Sequence, residues 1–433
     1  MLVVGAGVAG LTAAGLLAAG GRRVLVLEAR DRPGGRIDTR REAGWPLPLE
    51  GGAEFVHGRP EVIRRLCRAA GARLVEHAPR HFQGDGRRLR AAGPLWREAM
   101  GLLEALPLAP PDLSYDRLRR KPAWRRRAPP EVQQMALEFV EGFNAAPARG
   151  LSAVSLGKQT EAAAEIDGDR LFRVEGGYDR IVGELVRRLE RAGAELRLGA
   201  QIRRLEWRRG HVRARLEGLA AELSPVQARA AVVTLPVGVL QSDAVTFAPR
   251  LPSDKRAAIA ALEMGPVVRV LLRFRRLPPA MVRHRIDFLH VRGGAVPTFW
   301  LASPRERSVL VGWAAGPAVA RLPASARGRL EAALGSLARG LVASPAELAA
   351  ALEAWRVFDW GADPLARGAY TFVPPGALDA PARLAAPVEG TLFFAGEATH
   401  TEGASGTVHG AIETGQRVAR EVLAHSRNRR RAR

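Results

Sequence analysis

Cysteine and lysine are both scarce in this sequence. Its 433 residues include one cysteine, Cys67, so a disulfide framework and a cysteine-rich metal site within one chain are excluded. Lysine occurs only as Lys121, Lys158 and Lys255, although Lys and Arg together number 66 against 44 Asp and Glu. The net charge of +22 therefore comes almost entirely from arginine. Because alanine is also abundant, the composition indicates a coding bias rather than a surface built for polyanions.

Long hydrophobic stretches are also absent. No apolar run reaches the roughly 18 residues that a membrane span requires. The N-terminus has no basic segment ahead of an apolar one, and a glycine-rich turn begins at Gly5. Together with 47% hydrophobic residues, these features predict a folded, cytoplasmic protein of two or three domains. The short opening strand leaves open whether the natural chain begins upstream.

Arginine is concentrated in two runs, Arg117–Arg127 around Trp124 and the tail Arg427–Arg433. Either run could contact nucleic acid or a membrane surface through phosphate groups. We do not expect nucleic-acid binding, because solvated surface arginines and a frayed tail account for both runs.

The start of the chain has the pattern of a strand, a glycine turn, a helix and a second strand. Met1–Val4 is a short apolar strand, Leu11–Ala19 an apolar helix and Val24–Leu27 a buried strand that ends at Glu28. This βαβ beginning predicts the α/β class, with a parallel sheet and helices on both of its faces.

Further elements are predicted along the chain from the spacing of apolar residues. Cys67 lies on the apolar face of the first helix in this set, so it is predicted to be a core residue. The segment from about 80 to 150 is rich in proline and arginine and is predicted to be irregular. Helices are predicted at Glu61–Ala70, Tyr178–Ala192, Arg327–Leu341 and Val408–Leu423, and strands at Ile202–Trp207, His211–Leu216, Ala230–Leu235, Val267–Phe274, Val309–Trp313 and Thr391–Ala395.

A glycine motif joins the first strand to the first helix. Gly5, Gly7 and Gly10 form G-x-G-x-x-G, in which the glycines permit a tight turn, a close approach to a pyrophosphate and close helix–strand packing. The helix N-terminus presents free N–H groups to the phosphates. Glu28 ends the second strand, where a carboxylate binds a ribose hydroxyl pair and disfavours a 2′-phosphate. The motif predicts a dinucleotide site.

Two further segments extend this site. E-A-R-D-R-P-G-G-R follows the ribose acid, and its Arg30, Gly35 and Arg36 allow a second approach to the pyrophosphate. Near the other end of the chain, Gly396–Glu397 follow a buried strand and precede a helix that begins near Thr407–Val408. A helix N-terminus there would stabilise negative charge on a reduced flavin ring.

On these motifs the sequence resembles the FAD-dependent amine oxidoreductases, which include monoamine oxidases, polyamine oxidases and flavin-type histone lysine demethylases. The matching stretches appear in family order: VVGAGVAGL, LEARDRPGGRI, GGAEFVHG, TLPVGVL, WGADPLARGAYTFVPPG and FFAGEATHTEGASGTVHGAIETG. The resemblance implies a Rossmann-type FAD-binding domain at 1–78, 174–254 and 384–433. It implies an inserted α+β substrate domain at 79–173 and 255–383.

The resemblance also implies that FAD is bound non-covalently. Ala369 precedes Tyr370 where monoamine oxidases carry the cysteine that attaches the flavin, and Cys67 lies far from this position. The implied contacts with pyrophosphate, ribose, adenine and flavin come from Gly5, Gly7, Ala9, Gly10, Glu28, Arg30, Gly35, Arg36, Ala53, Glu54, Ile202, Gly396, Glu397, Thr407 and Val408.

The implied chemistry is hydride removal from the carbon beside an amine nitrogen, hydrolysis of the imine, and reoxidation by O2 to give H2O2. Tyr370 matches one aromatic wall of the amine cage, and Thr407 stands at the opposite wall, in a motif more similar to polyamine oxidases and demethylases. His57 matches a histidine near the substrate in some polyamine oxidases, and Trp360 matches a tryptophan beside the flavin. Both are equally consistent with structural roles.

Arg269 departs from the family pattern. It occupies the place of a lysine that holds a water against flavin N5. Arginine is larger and cannot be neutralised, so it is not an equivalent group. On the predicted strand it shares a face with Leu271 and Arg273, which makes a surface arginine the alternative. The exchange leaves open dehydrogenase chemistry with an acceptor other than oxygen.

Several alternatives remain at this stage. His400 and His409 have no further ligands at metal-site spacing, so no metal is predicted. A flavin desaturase or oxidase of C–C bonds would have an apolar tunnel without Tyr370 over the flavin, whereas a flavin-holding interaction protein would bind nucleic acid through its arginine runs. The sequence does not name the amine or the oligomeric state. An acidic patch, either a solvated loop or the rim of an entrance for cationic amines, comprises Glu161, Glu165, Asp167 and Asp169.

Overall fold

A computed structural model describes residues 1–217, 222, 224–303 and 305–431, with side chains described up to 425. The arginine run predicted at 427–433 lies outside those described side chains. In chain order the helices are α1 Val8–Ala19, α2 Glu61–Ala69, α3 Gly93–Leu103, α4 Tyr115–Arg120, α5 Pro122–Arg125, α6 Pro130–Phe143, α7 Ala153–Ala164, α8 Asp179–Arg191, α9 Val237–Leu240, α10 Ser253–Ala261, α11 Pro279–His284, α12 Ala326–Leu341, α13 Pro345–Ala351, α14 Ala380–Ala385 and α15 Val408–Arg431.

The strands that precede, follow and separate these helices are short for the most part. They are β1 Leu2–Val4, β2 Leu25–Leu27, β3 Thr39–Arg40, β4 Leu49–Glu50, β5 Phe55–His57, β6 Leu74–His77, β7 His81–Gly84, β8 Leu89–Ala91, β9 Leu171–Val174, β10 Glu195–Arg197, β11 Gln201–Arg208, β12 His211–Glu217, β13 Val226–Ala228, β14 Ala231–Val233, β15 Thr246–Ala248, β16 Glu263–Gly265, β17 Val267–Phe274, β18 Phe288–Val291, β19 Thr298–Leu301, β20 Val309–Ala315, β21 Leu352–Asp359, β22 Tyr370–Phe372 and β23 Leu392–Phe394.

A five-stranded parallel sheet carries the glycine motif. Its order is β10-β2-β1-β14-β23, with Val3 opposite Val26 on one side and Val232 on the other. Because side chains alternate along a strand, Val3 faces α1, α8 and α15, while its neighbours Leu2 and Val4 face the opposite way. That second face packs on the four-stranded sheet β13-β12-β11-β15 and on residues of α9, α10 and α14, so helices lie on both faces, and an additional sheet covers part of one of them.

A second, seven-stranded sheet has the order β21-β17-β20-β19-β18-β7-β8. Its neighbours are antiparallel except β18 and β7, which pair parallel and set Phe288 opposite His81. Helix α12 packs on this sheet through an apolar core that includes Leu337. The molecule is thus an α/β protein with a parallel and a mixed sheet. The domain limits remain a prediction, and the one between 173 and 174 falls inside β9.

The segment from 80 to 150 is regular, contrary to the prediction. It contains β7, β8 and the helices α3, α4, α5 and α6. Pro94, Pro122 and Pro130 lie in the first turns of α3, α5 and α6, where a proline costs no hydrogen bond because the first N–H groups of a helix have no intrahelical partner. These prolines therefore begin helices rather than interrupt them. Among the described residues, no helix is both long and apolar enough to cross a membrane.

Candidate active site

A cavity of about 990 Å³ lies between the parallel and the mixed sheet. Its wall combines the glycine turn after β1 with side chains from α3, α6 and the mixed sheet. All five predicted catalytic residues line it, namely Arg269, Tyr370, His57, Thr407 and Trp360. The predicted cofactor residues that line it are Gly5, Gly7, Ala9, Glu28, Arg30, Gly35, Arg36, Ala53, Glu54, Ile202, Gly396, Glu397, Thr407 and Val408.

The glycine turn has the shape that a pyrophosphate requires. Gly5 has a φ of +99°, and a Cβ on Gly10 would lie 2.0 Å from the Gly5 carbonyl oxygen, so Gly10 supports the turn from behind. A Cβ on Gly7 would meet no protein atom within 4 Å. The N-terminus of α1 has neither a side-chain cap nor an acidic residue in its first turn. Its free N–H groups therefore face open space that suits phosphate oxygens.

Replacing Gly7 tests this cradle. Gly7→Ala has room within the protein and an ordinary extended backbone (φ −67°), but its methyl group would occupy part of the open space that suits a pyrophosphate. We expect the variant to fold and to bind FAD about tenfold more weakly, a difference of about 1.4 kcal/mol. The measurement is the dissociation constant of FAD from the reconstituted apoprotein. Gly335→Ala, also free of close contacts, is the matched control and should bind FAD like the wild type.

Two backbone hydrogen bonds hold the Glu28 carboxylate in the cavity wall. It accepts the backbone N–H groups of Ala6 at 2.7 Å and Arg30 at 2.9 Å, one on each oxygen. The side chain is buried and lines the cavity. Since each carboxylate oxygen has a second lone pair, Glu28 can still accept hydroxyl hydrogens from a ligand. This arrangement fits the predicted ribose contact.

The two distant motifs meet at Arg36 and Glu397. The Arg36 guanidinium donates to Glu397 Oε1 at 2.7 Å and to the Ala369 carbonyl at 2.9 Å. Glu397 also accepts the Thr371 hydroxyl at 2.9 Å and the Gly406 N–H at 2.9 Å. The buried carboxylate therefore fastens the start of the chain to its last helix. Its implied contact with FAD stays a prediction.

Thr407 caps α15. Its Oγ1 accepts the Gly410 N–H at 3.0 Å and donates to the Ala404 carbonyl at 2.7 Å. Gly396, with a φ of +126°, makes the turn between β23 and this region. The first turn of α15, at Val408, thus lines the cavity with free N–H groups, as the predicted contact with an electron-rich ring edge requires.

Aromatic side chains surround the remaining part of the cavity. Tyr370 donates its hydroxyl to the Phe143 carbonyl at 2.6 Å, which ties β22 to the end of α6. The Trp360 indole donates to the Gly51 carbonyl at 2.8 Å and holds the segment before Ala53. We call this part the aromatic chamber and define it by Phe55, Trp96, Phe139, Phe143, Phe288, Trp300, Trp313 and Tyr370.

His57 lies in the chamber among aromatic rings. Its ring contacts Phe143 edge-on, with centroids 5.2 Å apart, and Phe55 at 6.1 Å. Desolvation by burial, with a smaller effect from His409, lowers the pKa of His57 to about 4. The His57 side chain has no hydrogen bond to another described residue, so the alternative of a hydrogen-bonded structural histidine finds no partner here. Its role near the substrate stays a prediction.

Burial of histidines makes the fold sensitive to acid. Burial lowers the pKa of His57, His81 and His409 to about 4, from an ordinary value of 6.5. Between these values the unfolded chain binds protons that the folded chain does not, so stability falls as the pH drops from 6.5 to 4. Glu50, whose pKa burial raises to about 7, has the opposite effect and offsets one of them.

We expect the free energy of unfolding to fall by about 1 kcal/mol per pH unit for each uncompensated histidine. Urea unfolding of the holoenzyme between pH 7 and 5 measures this slope, and His57→Phe should make it shallower. A free energy of unfolding that does not change with pH over this range would contradict the assignment of neutral, buried histidines.

Arg269 is buried, so its interpretation as a surface arginine is wrong. The residue is 2% exposed and donates to the Gly52 carbonyl and to the Glu54 carboxylate. Its guanidinium lies 5.8 Å from the ring centres of both Trp300 and Trp313. The side chain of β17 therefore points into the cavity as a permanent, paired cation. The Arg269 Nε–H is buried and has no partner among the described residues.

The charges along the cavity wall are distributed unevenly. Each arginine is paired, Arg30 with Asp363 at 2.9 Å, Arg36 with Glu397, and Arg269 with Glu54. By contrast, five acidic residues of the wall have no ion pair within the described part of the chain, and they are Glu28, Glu104, Glu138, Asp167 and Asp169. The open part of the cavity is therefore acidic, which attracts cations.

Of the predicted acidic patch, Asp167 and Asp169 line the cavity, whereas Glu161 and Glu165 do not. All of these carboxylates are exposed. One of the two interpretations placed this patch in a loop, but Glu161 lies on α7. The patch is thus both solvated and, at its two aspartates, part of the cavity mouth.

Other predictions concern residues that were not assigned to catalysis or to cofactor binding. Cys67 is a buried residue of α2 and does not line the cavity, whereas Ala369 does. Within the described residues, no group of three metal-ligating side chains occurs. His400 donates from Nε2 to Glu413 at 3.0 Å, since its Nδ1 accepts two backbone N–H groups. In Arg117–Arg127, Trp124 is buried and most of the arginines are exposed.

Much of the aromatic chamber was not anticipated from the sequence. His81 and Trp96 belong to the segment predicted to be irregular, and His290 carries no motif. The parallel pairing of β7 with β18 brings His81 and His290 together across 209 residues of chain. No sequence motif predicts the pairing of β7 with β18.

Comparison with known families gives one family match. Residues 8–423 match the model described as flavin containing amine oxidoreductase. Polyamine oxidase 3 of Oryza sativa subsp. japonica is 29% identical, over 97% of this chain and 88% of the relative. Lysine-specific histone demethylase 1 homolog 2 of the same species is 30% identical, over 99% of this chain and 57% of the relative.

Solved structures of similar fold cover the whole chain. Putrescine oxidase bound to putrescine aligns with a TM-score of 0.80 at 22% identity, covering 98% of both chains. Cyclohexylamine oxidase from Brevibacterium oxydans aligns with a TM-score of 0.79 at 21% identity, covering 98% of this chain and 99% of that one. These similarities show that the fold is shared.

Proposed function

The chain belongs to the flavin-containing amine oxidoreductases, and we propose that it oxidises an amine of the polyamine type, with O2 as the electron acceptor. The cofactor is FAD, and the alanine at 369 together with the remote Cys67 supports non-covalent binding. The observation that carries the proposal is an aromatic chamber whose free charges are acidic, next to the glycine cradle.

The acidic residues select the charge of the substrate. A protein with a net charge of +22 repels a cationic amine at a distance. Asp167 and Asp169 at the mouth, with Glu104 further along the wall, place negative charges without ion-pair partners along the path into the cavity. Because the cavity arginines are already paired, they do not cancel this attraction.

The chamber then positions the amine and excludes water. The Tyr370 ring forms part of the wall, and its hydrogen bond to Phe143 fixes that ring against α6. Such a wall holds the amine nitrogen and the adjacent carbon in one orientation. Arg269 and Trp360 hold the backbone from Gly51 to Glu54, which lines the same space.

When bound, FAD supplies the two-electron oxidation, in which the amine loses a hydride and a proton to become an imine, water hydrolyses the imine to a carbonyl compound, and the two electrons and two protons pass to O2 as H2O2. His57, neutral above about pH 5 because burial lowers its pKa, does not add a competing cation to the chamber. The protein itself contributes orientation, low polarity and charge.

The test is a panel of primary amines, polyamines and amino acids supplied with oxygen. We expect at least one amine to consume O2 and release one H2O2 per carbonyl product. A second assay supplies the same amines with a quinone acceptor under anaerobic conditions and distinguishes an oxidase from a dehydrogenase. A dehydrogenase is the relevant alternative because arginine stands at position 269. Turnover with the quinone alone would overturn the role of oxygen but not amine oxidation.

The two other candidate functions receive less support. A desaturase or oxidase of C–C bonds predicts an apolar tunnel, whereas this cavity carries Tyr370 and five acidic residues without an ion pair. An interaction protein would show salt-dependent retention on DNA through Arg117–Arg127 and no amine turnover.

A further inference from the structure

Two histidines of the mixed sheet form a coplanar pair in the wall of the aromatic chamber. His81 on β7 and His290 on β18 are hydrogen-bonded, with 3.0 Å between Nδ1 and Nε2. Their rings lie 5.3 Å apart at an angle of 7°. His290 is 8% exposed, both residues line the cavity, and neither is used in the proposed oxidation.

Aromatic contacts fix the pair in place. Trp96 stacks on both rings, with centroids 4.4 Å from His81 and 5.2 Å from His290. Phe288 stacks on His81 at 5.2 Å, and Phe139 meets Trp96 edge-on at 5.3 Å. The imidazoles therefore cannot turn away without disturbing Trp96 and Phe288.

The pair presents one donor and one acceptor. Burial lowers the pKa of His81 to about 4 and that of His290 to about 3, so both rings are neutral at pH 7. In a neutral pair, one N–H is used between the rings, which leaves one N–H and one bare nitrogen. Neither of these remaining atoms, His81 Nε2 and His290 Nδ1, has a protein partner among the described residues.

The surroundings disfavour a positive charge at this position. The desolvation that lowers the pKa of an imidazole also destabilises an ammonium group placed beside it. Asp287 is the acidic residue that acts on His81, but it is already paired with Arg80 and Arg307. Glu138 of α6 is hydrogen-bonded by Gln134, and burial raises its pKa, which weakens it as a counter-ion.

We propose that the His81–His290 pair is a subsite for an uncharged hydrogen-bonding group, a hydroxyl or an amide, at the end of the substrate remote from the oxidised amine. Such a group both donates and accepts, as the pair does. The inference rests on the proposed amine oxidation and adds the class of amine. Amino alcohols and N-acylated diamines or polyamines fit. A free ammonium at the remote end can donate to the bare nitrogen but leaves the N–H without an acceptor, and a methyl group leaves both atoms unpaired.

The experiment uses four amines of matched chain length that end in methyl, hydroxyl, acetamide or ammonium. Binding to the oxidised holoenzyme is measured from the change in the flavin spectrum, and kcat/KM is measured from turnover. We expect the hydroxyl and acetamide amines to exceed the other two by about tenfold in both quantities. In His290→Phe this preference should disappear, and in the control His284→Phe, an exposed histidine of α11, it should persist.

Each result decides the matter. Equal constants for all four amines, or a preference for the ammonium end, would overturn the subsite whether or not the amines are oxidised. A preference in binding without oxidation of any amine would keep the subsite and overturn the proposed function. If His290→Phe does not fold, His81→Gln together with the wild-type series replaces it, because the preference is a property of the wild type.

Discussion

Tyr370→Ala is expected to lower kcat/KM about 100-fold for every reactive amine, because loss of a positioning wall misplaces the reacting carbon. The ring lines the aromatic chamber and is anchored by its hydrogen bond to Phe143. Its removal opens the cavity to water but leaves the FAD contacts of the glycine turn intact. The measurement is the rate at which amines bleach the flavin under anaerobic conditions.

Tyr370→Phe is the matched control. It keeps the ring and loses only the 2.6 Å hydrogen bond to the Phe143 carbonyl. A single hydrogen bond contributes about 1 kcal/mol, so this variant should stay within about fivefold of the wild type. If Tyr370→Ala bleaches as fast as the wild type with every amine, Tyr370 does not face the reacting amine.

Arg269→Met is expected to lower the free energy of unfolding by about 2 kcal/mol, because the buried Glu54 carboxylate loses one of its two cations and keeps only Arg173. Glu54 is 7% exposed and keeps only Arg173 at 3.0 Å and the Trp300 indole as partners. The loss should appear in urea unfolding and in a lower flavin content after purification. Arg269→Lys retains the charge and should cost about 1 kcal/mol, since it loses one hydrogen bond of the fork.

A double variant separates the ion pair from simple packing. Arg269→Met combined with Glu54→Gln removes both charges of this pair, so its loss of stability should be smaller than the sum of the losses in the two single variants. If the double variant loses as much free energy of unfolding as the two single variants together, the ion pair is not the source of the stability. The contacts of Arg269 with Trp300 and Trp313 are then its source.

The cofactor cradle could be predicted from the sequence because its information is local. Gly5, Gly7 and Gly10 specify a turn whose backbone shape depends on few distant atoms, and Glu28 follows within the same βαβ unit. The helix starts at Val8 rather than Leu11, a shift within the usual uncertainty of helix ends. The contact between Arg36 and Glu397 spans 361 residues of chain and was not predicted.

The burial of Arg269 could not be predicted from alternation. That rule assumes one solvated face, but seven of the eight residues of β17 are buried, since the strand lies between β20 and β21 and has both faces covered. Charge compensation by Glu54, which lies 215 residues away in sequence, is what permits a cation there.

The aromatic chamber escaped prediction for a different reason. Its residues Trp96 and Phe139 lie on α3 and α6, where prolines at the helix starts resemble signals for irregular structure. Its histidine pair depends on the register of two strands that are far apart in sequence. No local sequence motif predicts either the strand register or the helix packing.

Anaerobic titration of the purified yellow protein with a reactive amine tests the central claim most directly, namely that the glycine cradle and the aromatic chamber form one cavity for FAD and an amine. The account predicts that one equivalent of amine bleaches one equivalent of flavin, and that acid precipitation then releases the FAD. Flavin that stays oxidised with every amine, or folded protein that takes up no FAD, would contradict it.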